Sequence, residues 1–509
     1  MFYFITSRED LLTSAIELAQ VKRMHIFDYL KVKSSIVTLQ YNWAHYQVEK
    51  KLGVTDRVIN LFQYFQQLPY HYDDDDQVLI DQLLKQPGFQ VNGLVASRDG
   101  NQRIIAHLNG PRLYYVDYRD RFGFTDRRDF YDNGCLTYTE FFEDRSRVVT
   151  RQYYDGQGRP KIVYHYRGGE GNSPVLCLIQ LFDQGNWWNF DDEAGLRAYF
   201  MDRLAGADSQ AVFISDRSDY TMKEFTLMHE QLPRYQVFHS AFTEDGRPNS
   251  KLFAVYDPVK QALVDGQLTG LISATQQEAA DARQRFATPA SYGIPVTYIP
   301  DAVLQKKVPF DRRKPGQLIA VARLTNVKRL DHLINTVILL HKKHPDVDLK
   351  IYGYDDEWNN YATSHALKKL VQDKQASGYI HFCGYEHDLT TVYETAQLEV
   401  LTSSYEGFAM ALLEAQGHGC PAVSYDINYG PAEIIKDQVS GRLLPAGDVH
   451  ALYTVLDELL SHPATLKDYA DHAQAVAAKY SFEHVAGRWQ DFITAEASRG
   501  VQHLAAYAK

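Results

Sequence analysis

The second half of the chain repeats one pattern: a short apolar run, a polar loop, and a stretch with apolar residues at helical spacing. The clearest example begins with the apolar run Leu398–Leu401, which predicts a buried strand. The apolar residues after Glu406 predict a helix, so Glu406 lies in the loop and Glu414 lies within the helix. Because strands that alternate with helices form parallel sheets, the sequence predicts an α/β fold.

The junction between this predicted strand and helix is suited to bind a phosphorylated sugar. The N-terminus of a helix presents backbone N–H groups and the positive end of its dipole to an anion. Glu406 and Glu414 can bind hydroxyl groups beside that anion. The alternative interpretation is that Glu406 caps the helix and Glu414 lies on its solvated face, because acids are common at helix starts.

Two cations precede this junction in the same repeating pattern. Residues 317–323 predict a strand that ends in Arg323, and Lys328 follows before another predicted helix. A guanidinium group binds phosphate oxygens in a fork, and an ammonium group supplies a point charge. Each cation alone is more simply a solvated surface charge. However, ligands of open α/β sheets bind at the carboxyl ends of strands, so we expect both cations and both acids to form one site.

These four residues stand within motifs that resemble the retaining GT-B glycosyltransferases of family 4. The motifs are residues 322–328, 351–353, 382–384, 402–408, 413–415, 419–423, 429–431 and 441–444. They follow the order and spacing of that family over roughly residues 315–450. The resemblance implies a GT-B fold, in which two Rossmann-like domains face a cleft. Two positions depart from the family pattern: residues 7–14 contain no paired glycines, and Ala322 stands where glycine is frequent.

The first half of the chain is similar to a narrower group within that family. Residues 214–217, residues 237–240 and a long Tyr-rich insertion resemble the bacterial poly(glycerol-phosphate) α-glucosyltransferases of wall teichoic acid. They also resemble the accessory-Sec protein O-GlcNAc transferases, which modify Ser-rich surface adhesins. The implied reaction moves glucose or GlcNAc from a UDP-sugar to a hydroxyl, with retention of configuration. The expected acceptor is poly(glycerol phosphate), and Ser or Thr of a surface protein is the alternative.

The resemblance also implies a role for each charged candidate. Arg323 and Lys328 stabilise the departing diphosphate. Glu414 holds the ribose hydroxyls, while Glu406 contacts the donor sugar and helps to stabilise its developing positive charge. The other residues expected to bind the donor are Phe408, Ala409, Met410, Gly384 and Tyr385.

Two candidates come from the first half of the chain. His239 ends a predicted strand, and the resemblance places it near the donor sugar or the attacking hydroxyl as a hydrogen-bond partner. This makes His239 a catalytic candidate beside Glu406, Arg323 and Lys328, and a histidine satisfied at a strand end is the alternative. Asp216 ends the preceding predicted strand and is a weaker candidate for the acceptor side. Its alternative is a turn-forming aspartate.

Two other functions compete with the transferase hypothesis. Paired carboxylates also occur in glycosidases, but a glycosidase leaves Arg323 and Lys328 unexplained. A non-catalytic partner that folds like a transferase is expected to lose the cations or the acids, and both pairs are present here. We expect no metal and no cofactor, because the acids at residues 73–76 lack alternating ligand spacing and no DxD motif is clearly placed. UDP-glucose or UDP-GlcNAc is then the donor substrate.

Composition narrows the class of protein further. The 509 residues suffice for two or three domains, and the net charge of −11 argues against a nucleic-acid binder. The four cysteines form no CxxC pair, which predicts buried free thiols in a reducing compartment. The apolar run at the amino terminus is too short for a secretory signal or a membrane span. We therefore expect a cytoplasmic protein, with at most a peripheral contact at the inner face of the membrane.

The predicted organisation has a Rossmann-like domain at each end of the chain. Residues 1–72 and 174–298 are expected to form the acceptor domain, and its first parallel strand after the insertion is predicted at residues 174–182. Residues 299–479 are expected to form the nucleotide-sugar domain. The resemblance implies that a final helix, residues 480–509, returns to the acceptor domain.

The insertion between these parts, residues 73–173, is predicted to be an antiparallel β-meander. Its short alternating segments are rich in Tyr and Arg and are separated by turn signals. Such a sheet suits a reader of carbohydrate or peptide, or a structural sheet with aromatic cross-strand pairs. The resemblance implies self-association here, or assembly with a related transferase-like subunit.

Overall fold

The structure is a computed structural model. It describes residues 1–7, 15–43, 45–70, 76–98, 101–143 and 146–507, without the side chains of residues 358 and 500–507. The predictions for the loop at residues 8–14 and for the acids at residues 73–75 lie outside this part. The chain divides into two compact units, Met1–Val21 with Ser34–Arg234 and Lys22–Lys33 with Tyr235–Lys509. The predicted domain boundaries stay predictions.

The first unit combines a short parallel sheet with a long antiparallel one. In chain order it contains β1 (Phe2–Thr6), the start of α1 (Ala15–Tyr29), β2 (Ser34–Thr38), α2 (His45–Leu52), β3 (Val58–Asn60), α3 (Leu61–Gln66), α4 (Gln77–Leu84), β4 (Gln90–Asn92), β5 (Val95–Ser97), β6 (Arg103–Asn109), β7 (Arg112–Arg119), β8 (Thr125–Asp132), β9 (Cys135–Phe142), β10 (Val148–Tyr154), β11 (Pro160–Gly168), β12 (Pro174–Asp183), β13 (Asn186–Phe190), α5 (Glu193–Ala207), β14 (Val212–Ser215) and α6 (Met222–Leu227).

The parallel strands of this unit run in the order β14-β1-β2-β3. Every residue of β1, β2 and β14 is buried. Strands that are covered on both faces read as largely apolar runs, which explains the sequences of β1 and β14. The parallel strands and the α/β fold class are as predicted.

The antiparallel sheet has ten strands in the order β13-β12-β11-β10-β9-β8-β7-β6-β5-β4. Its strands β7 to β10 carry an aromatic row of cross-strand neighbours, Tyr115, Phe130, Tyr138 and Tyr153. Beside it runs a row of alternating charge, Asp117, Arg128, Glu140 and Arg151. These two rows account for the Tyr-rich and Arg-rich composition by pairing within the sheet. The predicted meander is confirmed.

The predicted parallel strand at residues 174–182 is wrong. These residues form β12, which pairs antiparallel with β11 on one side and with β13 on the other. The physical reason is the two-residue turn between β12 and β13, where Gln184 and Gly185 both have positive φ angles. Such a turn joins antiparallel strands into a hairpin, so the inserted sheet continues to Phe190.

The second unit contains the remainder of α1 and the rest of the chain. Its elements are β15 (Arg234–Phe238), α7 (Asp257–Val264), β16 (Gly270–Ser273), α8 (Gln276–Arg285), β17 (Ser291–Gly293), α9 (Asp301–Gln305), β18 (Gln317–Val321), α10 (Leu330–Leu340), β19 (Asp348–Tyr352), α11 (Ala362–Asp373), β20 (Ile380–Gly384), α12 (Thr390–Thr395), β21 (Leu398–Leu401), α13 (Met410–Gly417), β22 (Ala422–Asp426), α14 (Pro431–Ile434), β23 (Gly441–Pro445), α15 (Val449–Ser461), α16 (Pro463–Ala477) and α17 (Phe482–Tyr507).

The second unit holds two sets of parallel strands. Strands β15, β16 and β17 pair in that order. A six-stranded sheet has the order β20-β19-β18-β21-β22-β23. In this sheet β18 comes first in sequence, and the strand order runs outward from it in both directions. The gap between β18 and β21 is therefore the topological switch point, where open α/β sheets bind ligands.

The last helix, α17, packs by its aromatic side chains. Trp489 contacts Phe27 of α1, and Phe492 contacts Tyr235 of β15 and Tyr292 of β17. All four cysteines are free, but only Cys420 is buried and Cys383 is exposed, so the prediction that all are buried is wrong. In the part of the chain that the structure describes, no helix has the length and apolar character to cross a membrane.

Candidate active site

The charged candidates lie at the carboxyl ends of the strands of the six-stranded sheet. Arg323 follows β18, and Lys328 ends the short 3-10 turn before α10. Glu406 stands in the loop after β21, and Glu414 lies in α13. Arg323 is exposed, and its guanidinium group pairs with no carboxylate within the described ranges. The sequence thus placed all four residues at the edge that binds ligands in such sheets.

Lys328 and Glu406 form a short ion pair. The ammonium of Lys328 donates to Glu406 Oε1 at 2.6 Å, and the Ser403 hydroxyl donates to the same oxygen at 2.5 Å. Only 18% of the Lys328 side chain and 12% of the Glu406 side chain is exposed. A charge-assisted bond between partly buried groups holds both side chains in one geometry. Lys328 and Glu406 therefore form one partly buried ion pair rather than two solvated charges.

The loop that carries Lys328 is fixed from the end of β21. The Thr402 hydroxyl lies 2.9 Å from the carbonyl oxygen of Lys328 and 3.0 Å from that of Arg329. The amide of Ser404 donates to the carbonyl of Val327 at 2.8 Å. These bonds leave the ammonium little freedom, which is the preorganisation that electrostatic catalysis requires.

The loop that carries Glu406 is fixed on its other side by the segment after β22. The Glu406 amide donates to the carbonyl of Asn428 at 2.9 Å, and the Tyr429 amide donates to the carbonyl of Glu406 at 2.8 Å. A Cβ atom on Gly430 would lie 2.2 Å from the carbonyl oxygen of Phe408, and the φ angle of Gly430 is +108°. Only glycine permits this approach of the two loops.

Gly407 brings His239 next to the Glu406 loop. A Cβ atom at position 407 would lie 2.5 Å from the carbonyl oxygen of His239 and 2.7 Å from the Cα of Ser240. The end of β15 therefore packs directly on the residue that follows Glu406. This places His239 beside Glu406 by backbone contact, whereas the role of its imidazole stays a prediction.

We expect Gly407→Ala to lower the free energy of unfolding by about 1–3 kcal/mol, because the new methyl group collides with backbone atoms that cannot rotate away. Transfer activity is expected to fall as well, since relief of the collision moves Glu406 away from His239. Gly378→Ala is the matched control, because a Cβ atom there has no neighbour within 4 Å. Urea unfolding and a transfer assay measure both effects. Equal behaviour of the two variants would contradict the assigned contact.

Glu414 is the second acid of the site. The Tyr393 hydroxyl donates to Glu414 Oε2 at 3.1 Å. Burial raises the pKa of Glu414, while Tyr393 and the charge of Lys22 lower it. Lys22 itself donates to the Thr297 hydroxyl at 2.6 Å, and burial lowers its pKa while Glu414 raises it. The carboxylate is thus partly enclosed, so the alternative of a solvated helix face is wrong.

The start of α13 has the left-handed conformation and no side-chain cap. Ala409 has φ 60° and ψ 55°, and no side chain of the described residues caps this helix start. The alternative in which Glu406 caps the helix is therefore wrong, because its carboxylate binds Lys328 instead. Phe408 and Ala409 are buried and Met410 is half-buried, and their expected contacts with the donor stay predictions.

Gly384 and Tyr385 follow β20 at the same edge of the sheet. Tyr385 is 62% exposed, and its ring lies 6.0 Å from that of Tyr354, which is 50% exposed. Gly384 has a φ angle of +76°, and its carbonyl accepts the Gly353 amide at 2.8 Å. An exposed ring at this edge suits a flat base, so Tyr385 is well placed for the predicted contact with a nucleotide.

Asp216 belongs to the first unit and is buried there. The side-chain amide of Gln20 donates to Asp216 Oδ2 at 2.7 Å. The predicted acceptor-side role of Asp216 stays a prediction. Among the described residues, no group of three or more His, Cys, Asp or Glu side chains is arranged to hold a metal ion.

Three residues that the sequence reasoning missed support the site: Ser403, Tyr393 and Lys22. Ser403 stands three residues before Glu406, so its place in the same loop could have indicated it. Tyr393 and Lys22 carry no comparable signal. They lie in different helices, and only the tertiary structure gives Tyr393 its hydrogen bond to Glu414 and lets the charge of Lys22 act on that carboxyl group.

Comparison with known proteins decides the family. The sequence model described as glycosyl transferases group 1 matches residues 304–476, which contain the four charged residues. The UDP-N-acetylglucosamine–peptide N-acetylglucosaminyltransferase GtfA subunit of Limosilactobacillus reuteri is 31% identical over 392 residues, which cover 72% of this chain and 71% of the relative. The chain belongs to the group 1 glycosyltransferases. This membership makes the chain a glycosyltransferase, so the glycosidase hypothesis is wrong.

Two further relatives extend the likeness of this glycosyltransferase to nearly its whole length. The poly(glycerol-phosphate) α-glucosyltransferase of Bacillus subtilis is 23% identical over 486 residues, which cover 90% of this chain and 68% of the relative. A chain in a crystal structure of the GtfA/B complex superposes with a TM-score of 0.81 at 22% identity, over 97% of this chain and 99% of that chain. The structural likeness confirms the predicted GT-B fold of the transferase.

Proposed function

We propose that the enzyme transfers glucose or GlcNAc from a UDP-sugar to a hydroxyl of a cell-surface acceptor, with retention of the anomeric configuration. The observation that carries this proposal is the Lys328–Glu406 pair at the switch-point edge of the sheet. Arg323 and Glu414 belong to the same edge. No metal or cofactor is part of the proposal, and the UDP-sugar is a substrate.

Departure of the diphosphate is the step that these residues assist. The bond between the anomeric carbon and the diphosphate oxygen breaks, and negative charge grows on the leaving group. Lys328, held in place by Glu406 and Thr402, and the exposed guanidinium of Arg323 stabilise that charge. The uncapped start of α13 adds the positive end of its dipole.

The acids act on the sugar and on the nucleoside. Glu406 stabilises the positive charge that develops on the anomeric carbon, and Glu414 holds the ribose hydroxyls. The ring of Tyr385 receives the base. The acceptor oxygen forms the new bond on the face that the diphosphate leaves, and its proton passes to the departing phosphate oxygen. His239 lies beside Glu406 as a hydrogen-bond partner of the sugar or of the acceptor hydroxyl.

Poly(glycerol phosphate) is the first acceptor that we propose, because the Bacillus subtilis relative matches 90% of this chain. A Ser-rich protein is the second candidate, favoured by the higher identity of 31% to the peptide transferase of Limosilactobacillus reuteri. The likeness to a chain of the GtfA/B complex favours a complex with a related transferase-like subunit, and a homo-oligomer is the alternative. A cytoplasmic enzyme, with at most a peripheral contact at the inner face of the membrane, has access to UDP-sugars.

A panel of two donors and two acceptors tests this proposal. Purified protein is incubated with UDP-glucose or UDP-GlcNAc, against poly(glycerol phosphate) or a Ser-rich peptide, and product mass is measured. We expect one donor to label poly(glycerol phosphate). Labelling of the peptide would select the second candidate. Absence of UDP-sugar turnover in every combination, both with and without acceptor, would overturn the proposed donor and reaction.

A further inference from the structure

Glu399 occupies an unusual position in the centre of the six-stranded sheet. It lies on β21, its side chain is fully buried, and it faces β18 across the topological switch point. The buried neighbourhood of β18 at this point is apolar and includes Ile319, Ala415 and Cys420. An apolar residue would complete such a core, so a carboxyl group here requires an explanation.

The carboxyl group of Glu399 accepts a hydrogen bond where the backbone pairing between β18 and β21 has ended. Strands β18 and β21 pair only through Leu318 with Leu398 and through Ile319 with Glu399. Beyond these pairs the amide of Val321 donates to Glu399 Oε1 at 3.2 Å. The side chain of Glu399 thus supplies the acceptor for Val321 at the point where the strand pairing ends.

This bond secures the strand end that presents Arg323. The next amide, that of Ala322, donates to the carbonyl of Tyr352 on β19 at 2.9 Å. The backbone before Arg323 is therefore held on the β21 side by Glu399 and on the β19 side by Tyr352. An error of about 1 Å in the position of a binding group can cost about 100-fold in rate. We therefore expect these two hydrogen bonds to affect how well Arg323 binds the donor.

Burial of the Glu399 carboxyl group lowers the stability of the folded protein. Glu399 Oε2 is buried and has no hydrogen-bond partner in the part of the chain that the structure describes. Burial, and to a smaller extent the charge of Glu414, raises the pKa of Glu399 well above its ordinary value of 4.5. A costly buried group that persists next to a binding edge is typical of a functional position.

We propose that Glu399 is a positioning residue for Arg323, which holds the strand end in the geometry for diphosphate binding at the expense of folding stability. This inference rests on the proposed function, because it assumes that Arg323 binds the diphosphate of the donor. Glu399 itself does not contact the donor, since it has no exposed surface.

Three variants separate positioning from a purely structural role. Glu399→Leu removes the acceptor for Val321, whereas Glu399→Gln keeps a carbonyl oxygen there. We expect Glu399→Leu to weaken UDP binding, measured by calorimetry, about tenfold or more, and Glu399→Gln to stay within about threefold of the parent enzyme. In an Arg323→Ala background Glu399→Leu is expected to cause no further loss, because two residues that act through one contact are not additive.

Glu399→Leu is expected to raise the unfolding temperature while it lowers the affinity for UDP. Above pH 4.5 an unfolded chain releases the proton of Glu399 while the folded chain retains it, so the parent protein loses stability as the pH rises. Glu399→Leu and Glu399→Gln should therefore raise the unfolding temperature more at pH 8 than at pH 5. Glu278→Gln is the matched control: Glu278 is also fully buried with both oxygens unpartnered among the described atoms, so this variant should show the same pH trend with parental UDP affinity.

Failure of this inference differs from failure of the proposed function. A parent protein that does not bind UDP overturns the proposed function. If the parent binds UDP, the positioning role is overturned when Glu399→Leu binds it equally well, when Glu399→Leu loses stability and affinity together, or when its effect persists without Arg323.

Discussion

Lys328→Ala is expected to lower kcat for sugar transfer by about 100- to 1,000-fold, the usual cost of removing one preorganised group that stabilises a leaving charge. The Lys328 ammonium lies 2.6 Å from Glu406 Oε1, and only 18% of the Lys328 side chain is exposed, so water cannot easily replace the ammonium group. Lys328→Ala also leaves the partly buried Glu406 carboxylate without the cation that pairs with it. Steady-state kinetics with a radiolabelled UDP-sugar measure the loss.

Lys343→Ala is the matched control for this variant. Lys343 donates to Asp457 Oδ2 at 2.7 Å, which resembles the Lys328 pair in length, but its side chain is 56% exposed. Exposed ion pairs contribute little to stability, so we expect this variant to fold and to transfer sugar like the parent enzyme. Full transfer activity of Lys328→Ala would remove the proposed role of the Lys328–Glu406 pair.

Glu406→Gln is expected to lower kcat to a similar extent, by about 100-fold or more, while the affinity for UDP changes by about threefold or less. The amide keeps the shape of the side chain and an oxygen that can accept from Lys328 and Ser403. It removes the negative charge, which is proposed to act on positive charge that develops only in the transition state. The signature is therefore a loss in turnover without a comparable loss in binding.

Calorimetry with UDP and kinetics with the complete donor test this separation. Glu143→Gln is a suitable control, because Glu143 accepts from Arg147 at 2.6 Å in the connection between β9 and β10, and both residues belong to the first unit rather than to the unit that carries the proposed site. A Glu406→Gln enzyme that loses UDP affinity in proportion to kcat would show that Glu406 binds the nucleotide rather than the transition state.

Much of the fold follows from local pattern. Apolar runs such as residues 2–5 are strands because both faces of a parallel strand are buried, and the Tyr-rich alternation forms the antiparallel sheet. The same pattern failed at β12, because a two-residue turn rather than strand composition decides whether the next strand is antiparallel. The motifs around Arg323 and Glu406 also indicated a GT-B glycosyltransferase, which the comparisons confirm.

The amino-acid sequence by itself determined the order of strands and helices, the kind of residue at each strand end, and membership of a glycosyltransferase family. Only the tertiary structure decided that Lys328 pairs with Glu406 across 78 positions, that Gly407 admits His239, and that Glu399 completes the strand which presents Arg323. The physical reason is that periodicity records whether a residue is buried, which is a local property. Partners that are distant in sequence are set by how closely two backbones approach, and a few glycines and loop hydrogen bonds fix that approach.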